Sequence, residues 1–306
     1  MKDYLNAISL LPDKYKSVLN AITENVAVNV KELRFRNGEP ITLNTQNEIY
    51  YIRKNGALTV SFCSDLLMTD EKDLQEIVFC LSRRSLHTYQ DMIARGFIPL
   101  RGGAKAGVVG RAVMKNGAVY SVSSFNSVNI RVSRAFYGCS RKLIEAVGTD
   151  CASFLIVGAP LSGKTTVLRD LCRFYSGKDR LNPLKIAIID ERDEIASRSF
   201  GDGLDVGLHT DVLTLYPKAI GTEIAVRTLS PDIVVLDEIG SDEEAMAMLS
   251  AINTGVNFIA TAHGSSLEEV LRRPNIKRLV NAGAFKKAVV LSGKENPCSI
   301  KEMVVF

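Results

Sequence analysis

Phe154-Leu155-Ile156-Val157-Gly158-Ala159-Pro160-Leu161-Ser162-Gly163-Lys164-Thr165-Thr166 is the stretch that decides the reading of this chain. Its first four residues predict a short buried strand. Gly-x-x-x-x-Gly-Lys-Thr follows, and a segment compatible with a helix runs on to Arg173. Gly158 and Gly163 admit backbone turns that a side chain would obstruct, so successive N–H groups can point inward and cradle phosphates at a helix N-terminus. The whole run from Gly158 through Ala159, Pro160, Leu161, Ser162 and Gly163 to Thr166 is therefore expected to line a nucleoside triphosphate such as ATP. Lys164 would reach its β- and γ-phosphates, and Thr165 would offer a hydroxyl to Mg²⁺.

The rest of the chain agrees with a globular, two-domain protein. At 306 residues there is room for two ordinary cores without disulfides. Hydrophobic residues make up 46% and charged residues 24%, a soluble composition. No apolar run approaches the roughly 20 residues that span a bilayer, and the N-terminus shows no cleavable leader pattern, so neither membrane insertion nor secretion is expected. Cys63, Cys80, Cys139, Cys151, Cys172 and Cys298 are scattered without metal-type spacing and read as reduced core thiols of the cytoplasm. The net charge of +4, from 38 basic and 34 acidic residues, permits an anionic partner without requiring one.

Two textures divide the chain, and they predict domains at 1–145 and 146–306. Residues 1–25 read as helical with a break at Leu10-Leu11-Pro12. Short apolar runs then alternate with the turn dipeptides Asn37-Gly38 and Asn55-Gly56, predicting a small antiparallel sheet. A helix capped at Thr69 or Asp70 carries Leu74, Ile77, Val78 and Leu81 on one face. Further strands are expected at 107–114, 118–122 and 128–132, after a basic, glycine-rich segment, 101–107, which reads equally as a solvated or a ligand-facing loop. The first domain is thus a smaller α+β unit. From about Cys151, strands at 154–157, 185–189, 233–236 and 257–260 alternate with helical stretches, which predicts an α/β domain whose parallel sheet is covered on both faces. Segments 288–291 and 300–305 read as added edge strands.

Two strands end in acids. Ile233-Val234-Val235-Leu236-Asp237-Glu238 follows a phosphate loop at the place where an Asp holds the Mg²⁺ shell and a Glu can polarise water. Ala187-Ile188-Ile189-Asp190-Glu191 is the second, and either Asp190 or Glu191 can face the ligand edge of the sheet; self-paired charges on a solvated loop are the alternative. His263, after Ile259-Ala260-Thr261-Ala262, would sit at a third strand end and sense the γ-phosphate or the catalytic Glu. His87 and His209 read as surface residues.

These residues together resemble the type II/IV secretion and pilus ATPases. The likeness is carried by 158–165, Asp190-Glu191, the run 225–239 and Thr261-Ala262-His263. Within that superfamily the chain resembles the stage III sporulation protein AA family, through Arg101-Gly102-Gly103, 107–111 and Asn129-Ile130-Arg131-Val132. The resemblance implies a RecA-like domain and a hexameric cytoplasmic ATPase at the inner face of the mother-cell membrane facing the forespore. It also implies that the ATPase serves channel proteins there, and that the nucleotide lies between domains or subunits, where arginines complete the site. Arg131, Arg134 and Arg227 match such arginines, with surface ion pairing the alternative for Arg134. Pilus-type members often have Gly before the Glu of the second acidic strand; this chain has Asp237, which strengthens its metal role. Ala104-Lys105-Ala106 replaces a His-Arg-Val-like segment, so the resemblance assigns that loop no function.

A nucleic-acid-binding motor or regulator is the alternative of a different class, suggested by the mild basicity and the Arg101–Lys105 loop. Neither a recognition helix nor an aromatic, basic sheet face supports it, so nucleic acid is not the expected partner. A small-molecule kinase is weaker still, since it has little use for a water-activating Glu238.

Overall fold

Alternation of buried and partly exposed residues explains the first sheet: in Glu32–Arg36, Leu33 and Phe35 point into the core while their neighbours do not. The computed structural model describes residues 1–149, 153–177, 181–198 and 203–306, so Cys151 lies outside the described residues. The chain separates into two compact units at Arg134/Ala135. That is ahead of the expected 145/146, because Leu143, Ile144 and Val147, in the helix that follows, pack with Phe154 and Val167 in the second core.

In the first unit the helices are α1 Lys2–Ile8, α2 Asp13–Asn20, α3 Glu24–Ala27, α4 Glu71–Leu81 and α5 Gln90–Ala94. The strands are β1 Glu32–Arg36, β2 Glu39–Pro40, β3 Thr42–Asn44, β4 Ile49–Ile52, β5 Leu58–Thr59, β6 Met68–Thr69, β7 Phe97–Pro99, β8 Lys105–Lys115 and β9 Ala118–Arg131. Seven of them form one sheet in the order β5-β4-β3-β1-β9-β8-β7, antiparallel throughout. Asp70 is the cap of α4: its carboxylate accepts from the Asp73 amide at 2.8 Å while Asp73 accepts from the Asp70 amide at 3.1 Å. Where two separate strands were expected after residue 118, β9 is continuous over 14 residues, and register shifts at Val109/Gly110, Gly110/Arg111 and Val113/Met114 absorb the polar interruption. The glycine-rich segment is a short helical turn, Arg101–Gly103, leading into β8.

The second unit runs α6 Arg141–Val147, β10 Phe154–Gly158, α7 Lys164–Ser176, β11 Ile186–Asp190, β12 Thr210–Thr214, α8 Lys218–Leu229 and β13 Ile233–Leu236. It continues through α9 Asp242–Ile252, β14 Asn257–His263, α10 Leu267–Leu271, α11 Pro274–Asn281, β15 Lys287–Leu291 and β16 Ile300–Val305. The sheet order is β12-β11-β13-β14-β10-β15-β16, parallel except for β16. Strands β10, β11 and β13 are buried at every residue, as a sheet covered on both faces demands. Phe154, Ile156, Ile188 and Val235 pack with α6 and α7, and Leu155, Val157, Ile189 and Leu236 pack with α8, α9 and α11. Two details depart from expectation. Thr210–Thr214, too polar to read as a strand, joins β11, and β15 is an inner neighbour of β10, so only β16 is an edge on that side.

Candidate functional site

Because the strands run parallel, their carboxyl ends converge on one edge of the sheet. Gly158 at the end of β10 is in register with His263 of β14, and Leu236, just before Asp237, with Ala260. Between β10 and α7 the chain makes two backbone turns that only small or unusual residues tolerate: Leu161 at φ 63° and Gly163 at φ 92°. Gly163 has a second constraint, since a Cβ there would come within 2.5 Å of Cys298 Sγ. A Cβ on Gly158 would collide with Ser162 Oγ, which is buried without a hydrogen-bond partner among the described residues. The Lys164 ammonium donates to the carbonyls of Gly158 at 2.8 Å and Ala159 at 3.1 Å. Burial pushes Lys164 below the ordinary lysine range, against the pull of Asp237 and Glu238.

Asp237 faces this loop. Thr165 Oγ1 donates to one of its carboxylate oxygens at 2.7 Å, and Thr261 Oγ1 donates to the other. The same Thr261 hydroxyl oxygen accepts from the Glu238 amide at 2.7 Å, so one side chain of β14 fixes both acids of the β13 tip. Glu238 itself is held at φ 54°, a left-handed conformation that a Glu adopts only when its surroundings impose it. Those surroundings are the Lys218 ammonium, which donates to the Glu238 carbonyl at 2.6 Å, and Arg192, which pairs with its carboxylate at 3.0 Å.

The Asp190 tip is built differently. Asp190 is buried, and its carboxylate accepts from the backbone amides of Glu194, Ile195 and Ala196 at 2.8 to 3.2 Å. Glu191, by contrast, is partly exposed and stands 3.8 Å from Lys218. Both acids left open by sequence line the cleft with Lys218, Asp237 and Glu238, but Asp190 staples the loop while Glu191 keeps a partly exposed carboxylate there.

The structure brings Lys164, Thr165, Asp237, Glu238, Glu191 and His263 to one edge. His263 is exposed, with its carbonyl accepting from Arg273 at 2.6 Å. Arg227 is not brought there within this chain: it lies in the last turn of α8, nine residues beyond Lys218 and so about 13 Å along the axis. Arg131 ends β9 of the first unit opposite Glu32, and Arg134 donates to the Val30 carbonyl at 3.0 Å. Sequence reading missed Lys218, Arg192 and Cys298, and it gave Thr261 no role beyond its place in Thr261-Ala262-His263. The only advance signal for Lys218 was a lysine directly after a proline at a helix start; Cys298 had none, since it lies far from the motif in sequence.

The residues fit a nucleotide phosphate with its metal. The Ser162 hydroxyl is buried in the loop without a hydrogen-bond partner among the described residues, and the Thr165 hydroxyl and Asp237 carboxylate form the all-oxygen donor pair that Mg²⁺ prefers. No cluster of three or more His, Cys, Asp or Glu side chains placed to hold a metal occurs among the described residues.

The family model "Sporulation stage III, protein AA" matches residues 5–304. Stage III sporulation protein AA of Bacillus subtilis is 33% identical over 297 residues, 96% of this chain and 92% of that one. Among solved structures, the Legionella pneumophila ATPase DotB aligns with a TM-score of 0.58 at 17% identity, over 92% of this chain and 76% of that one. The ADP-bound pilus retraction motor PilT aligns with a TM-score of 0.58 at 15% identity, over 87% and 75%. At such identities the two structures speak for the fold alone.

Proposed function

Because the chain belongs to the stage III sporulation protein AA family, we propose that it is a Mg²⁺-dependent ATPase. Its second unit would work as a RecA-like phosphate-loop domain in a ring of identical subunits. The ring would energise assembly or operation of a channel complex in the membrane between mother cell and forespore. The observation that carries hydrolysis is the meeting of Thr165 with Asp237 at 2.7 Å, directly ahead of Glu238 in the chain.

In this reading the amides of 158–166 and the Lys164 ammonium bind and orient the triphosphate, and Lys164 exchanges two carbonyl partners for phosphate oxygens. Thr165 and Asp237 would hold Mg²⁺, which would supply neutralising charge to the phosphates. Glu238 takes a proton from the attacking water after its carboxylate leaves Arg192, and Arg192 is then free for developing charge on phosphate. No helix among the described residues is long and apolar enough to cross a membrane. The family likeness, rather than that absence, leads us to assign the protein to the mother-cell cytoplasm, attached to the membrane through channel proteins.

The test is Mg²⁺-dependent ATP hydrolysis per subunit across a wide range of protein concentration, with Glu238→Gln as background and with or without DNA. Activity that climbs with concentration and ignores DNA supports sites completed between copies. Activity flat with concentration and raised by DNA overturns the ring motor.

A further inference from the structure

The phosphate loop has a neighbour that its mechanism does not use. Cys139 comes from the segment ahead of α6, and Cys298 from the loop between β15 and β16, yet both thiols meet at the first turn of α7. Cys139 Sγ lies 3.7 Å from the Thr166 carbonyl and Cys298 Sγ 3.9 Å from the Gly163 carbonyl. Both thiols therefore face the same turn of the phosphate loop and α7, and both residues are only half-buried.

Each thiol is tied to the loop. The Cys298 amide donates to the Ser162 carbonyl at 2.8 Å, and its sulfur fills the space that a Cβ on Gly163 would take, 2.5 Å away. Cys298 itself is held at φ 64°, so its position is imposed by the surrounding chain. On the other side, the Gly138 and Ser140 amides donate to Asp170 of α7 at 3.0 and 2.8 Å, which fixes the turn carrying Cys139. The neighbouring Cys139 thiol draws Cys298 below the ordinary thiol range, while the Cys298 thiol and burial push Cys139 up. Cys298, whose amide is bonded to the Ser162 carbonyl, is the thiol tied directly to the phosphate loop and is assigned the attack.

We propose that Cys139 and Cys298 form an oxidation site for small disulfides, closing into an intramolecular disulfide that clamps the phosphate loop and weakens nucleotide binding. The Cys298 thiolate, its proton given to solvent, attacks one sulfur of a low-molecular-weight disulfide; that S–S bond breaks and one thiolate leaves. Cys139 loses its proton to the departing thiolate, attacks the Cys298 sulfur of the mixed disulfide and expels the second thiol. Two cysteine thiols are oxidised and one small disulfide is reduced to two thiols.

Closure draws the sulfurs from non-bonded separation to about 2.05 Å, which moves the attached backbone by on the order of 1 Å. Ser162 and Gly163 move with Cys298, and displacing positioned groups by this much is expected to weaken phosphate binding by about tenfold or more. The effect on nucleotide rests on the proposed function; formation of the disulfide does not.

Purified full-length protein is treated with glutathione disulfide, and a non-reduced digest is mapped by mass spectrometry beside the affinity for a fluorescent ATP analogue. The expected result is a 139–298 cross-linked peptide, an affinity about tenfold lower, and recovery with dithiothreitol. Cys298→Ser should lose both effects, and Cys139→Ala should give only the mixed disulfide on Cys298. Glutathione adducts without the cross-link overturn the proposal, as does a cross-link that leaves affinity within twofold. Reduced protein that forms the cross-link but never binds nucleotide overturns the proposed function and the clamp, leaving only the thiol chemistry.

Discussion

The two acid-tipped strands, Ile189-Asp190-Glu191 and Leu236-Asp237-Glu238, are adjacent in the sheet and nearly identical in sequence, yet their aspartates do opposite work. Asp190 turns back on its own loop and is satisfied by three backbone amides. Asp237 is satisfied by hydroxyls alone, from Thr165 and Thr261. A carboxylate enclosed by backbone amides serves folding, because those amides have no other partner once buried. A carboxylate held by two hydroxyls retains lone pairs that a cation can share, which is what a metal shell needs. The residue type is the same, and its neighbours decide the role.

Substitutions at the two aspartates should therefore separate activity from stability. Asp237→Asn is expected to lower ATP hydrolysis by about 10²- to 10³-fold, with little change in the urea midpoint. A hydrolysis rate within threefold of wild type would remove Asp237 from the metal shell. Asp190→Ala should do the reverse, costing about 3 kcal/mol in urea unfolding of the second unit by orphaning buried amides. Turnover per folded molecule should stay within a few-fold. If Asp190→Ala abolished turnover while leaving the unfolding curve in place, the contrast between the two strands would collapse.

The fold was largely legible because its strongest signals are local. Strand, glycine loop and helix follow one another within 154–173, and acids after apolar runs mark strand ends without any knowledge of the sheet. What could not be read depends on contacts between distant segments. Lys218 gains its meaning from Glu191, Glu238 and Glu244, which three different segments supply. Thr261 reads as one more residue of an apolar strand until the register sets β14 beside β13 and turns its hydroxyl to Asp237. Thr210–Thr214 alternates too weakly to announce a strand, and pairing with β11 supplies what its composition lacks. The choice between Asp190 and Glu191 likewise turned on the path of 194–196, which no periodicity encodes.

Lys218 is the bridge between the two tips and offers a smaller, sharper test. Its buried ammonium donates to the Glu238 carbonyl at 2.6 Å, pairs with Glu244 at 3.0 Å and stands 3.8 Å from Glu191. Removing it should release Glu238 from its left-handed conformation without touching the phosphate loop. Lys218→Met is expected to lower kcat about tenfold with nucleotide Kd unchanged, and Lys218→Arg to restore part of the rate. Equal losses in kcat and affinity would mean that Lys218 supports the fold at large and gives the Glu238 tip no special position.

The smallest effect concerns a third aspartate, which shows what a purely structural carboxylate does with pH. Burial raises the pKa of Asp170, but the Ser140 hydroxyl and amide, the Arg173 guanidinium and the Gly138 amide outweigh it and hold Asp170 below the usual carboxylate range. A pKa lower in the folded than in the unfolded chain adds stability that is fully present above the unfolded value, near 4, and is lost as the pH falls from there through the folded value. Urea midpoints should thus be flat from neutral pH down to about 5 and decline below about 4. Asp170→Asn should lower the midpoint at neutral pH and flatten the acid decline, since the variant has no proton to take up. An unchanged acid slope in the variant would assign the decline to other carboxylates, and Asp170 would then tie the Cys139 turn to α7 through geometry alone.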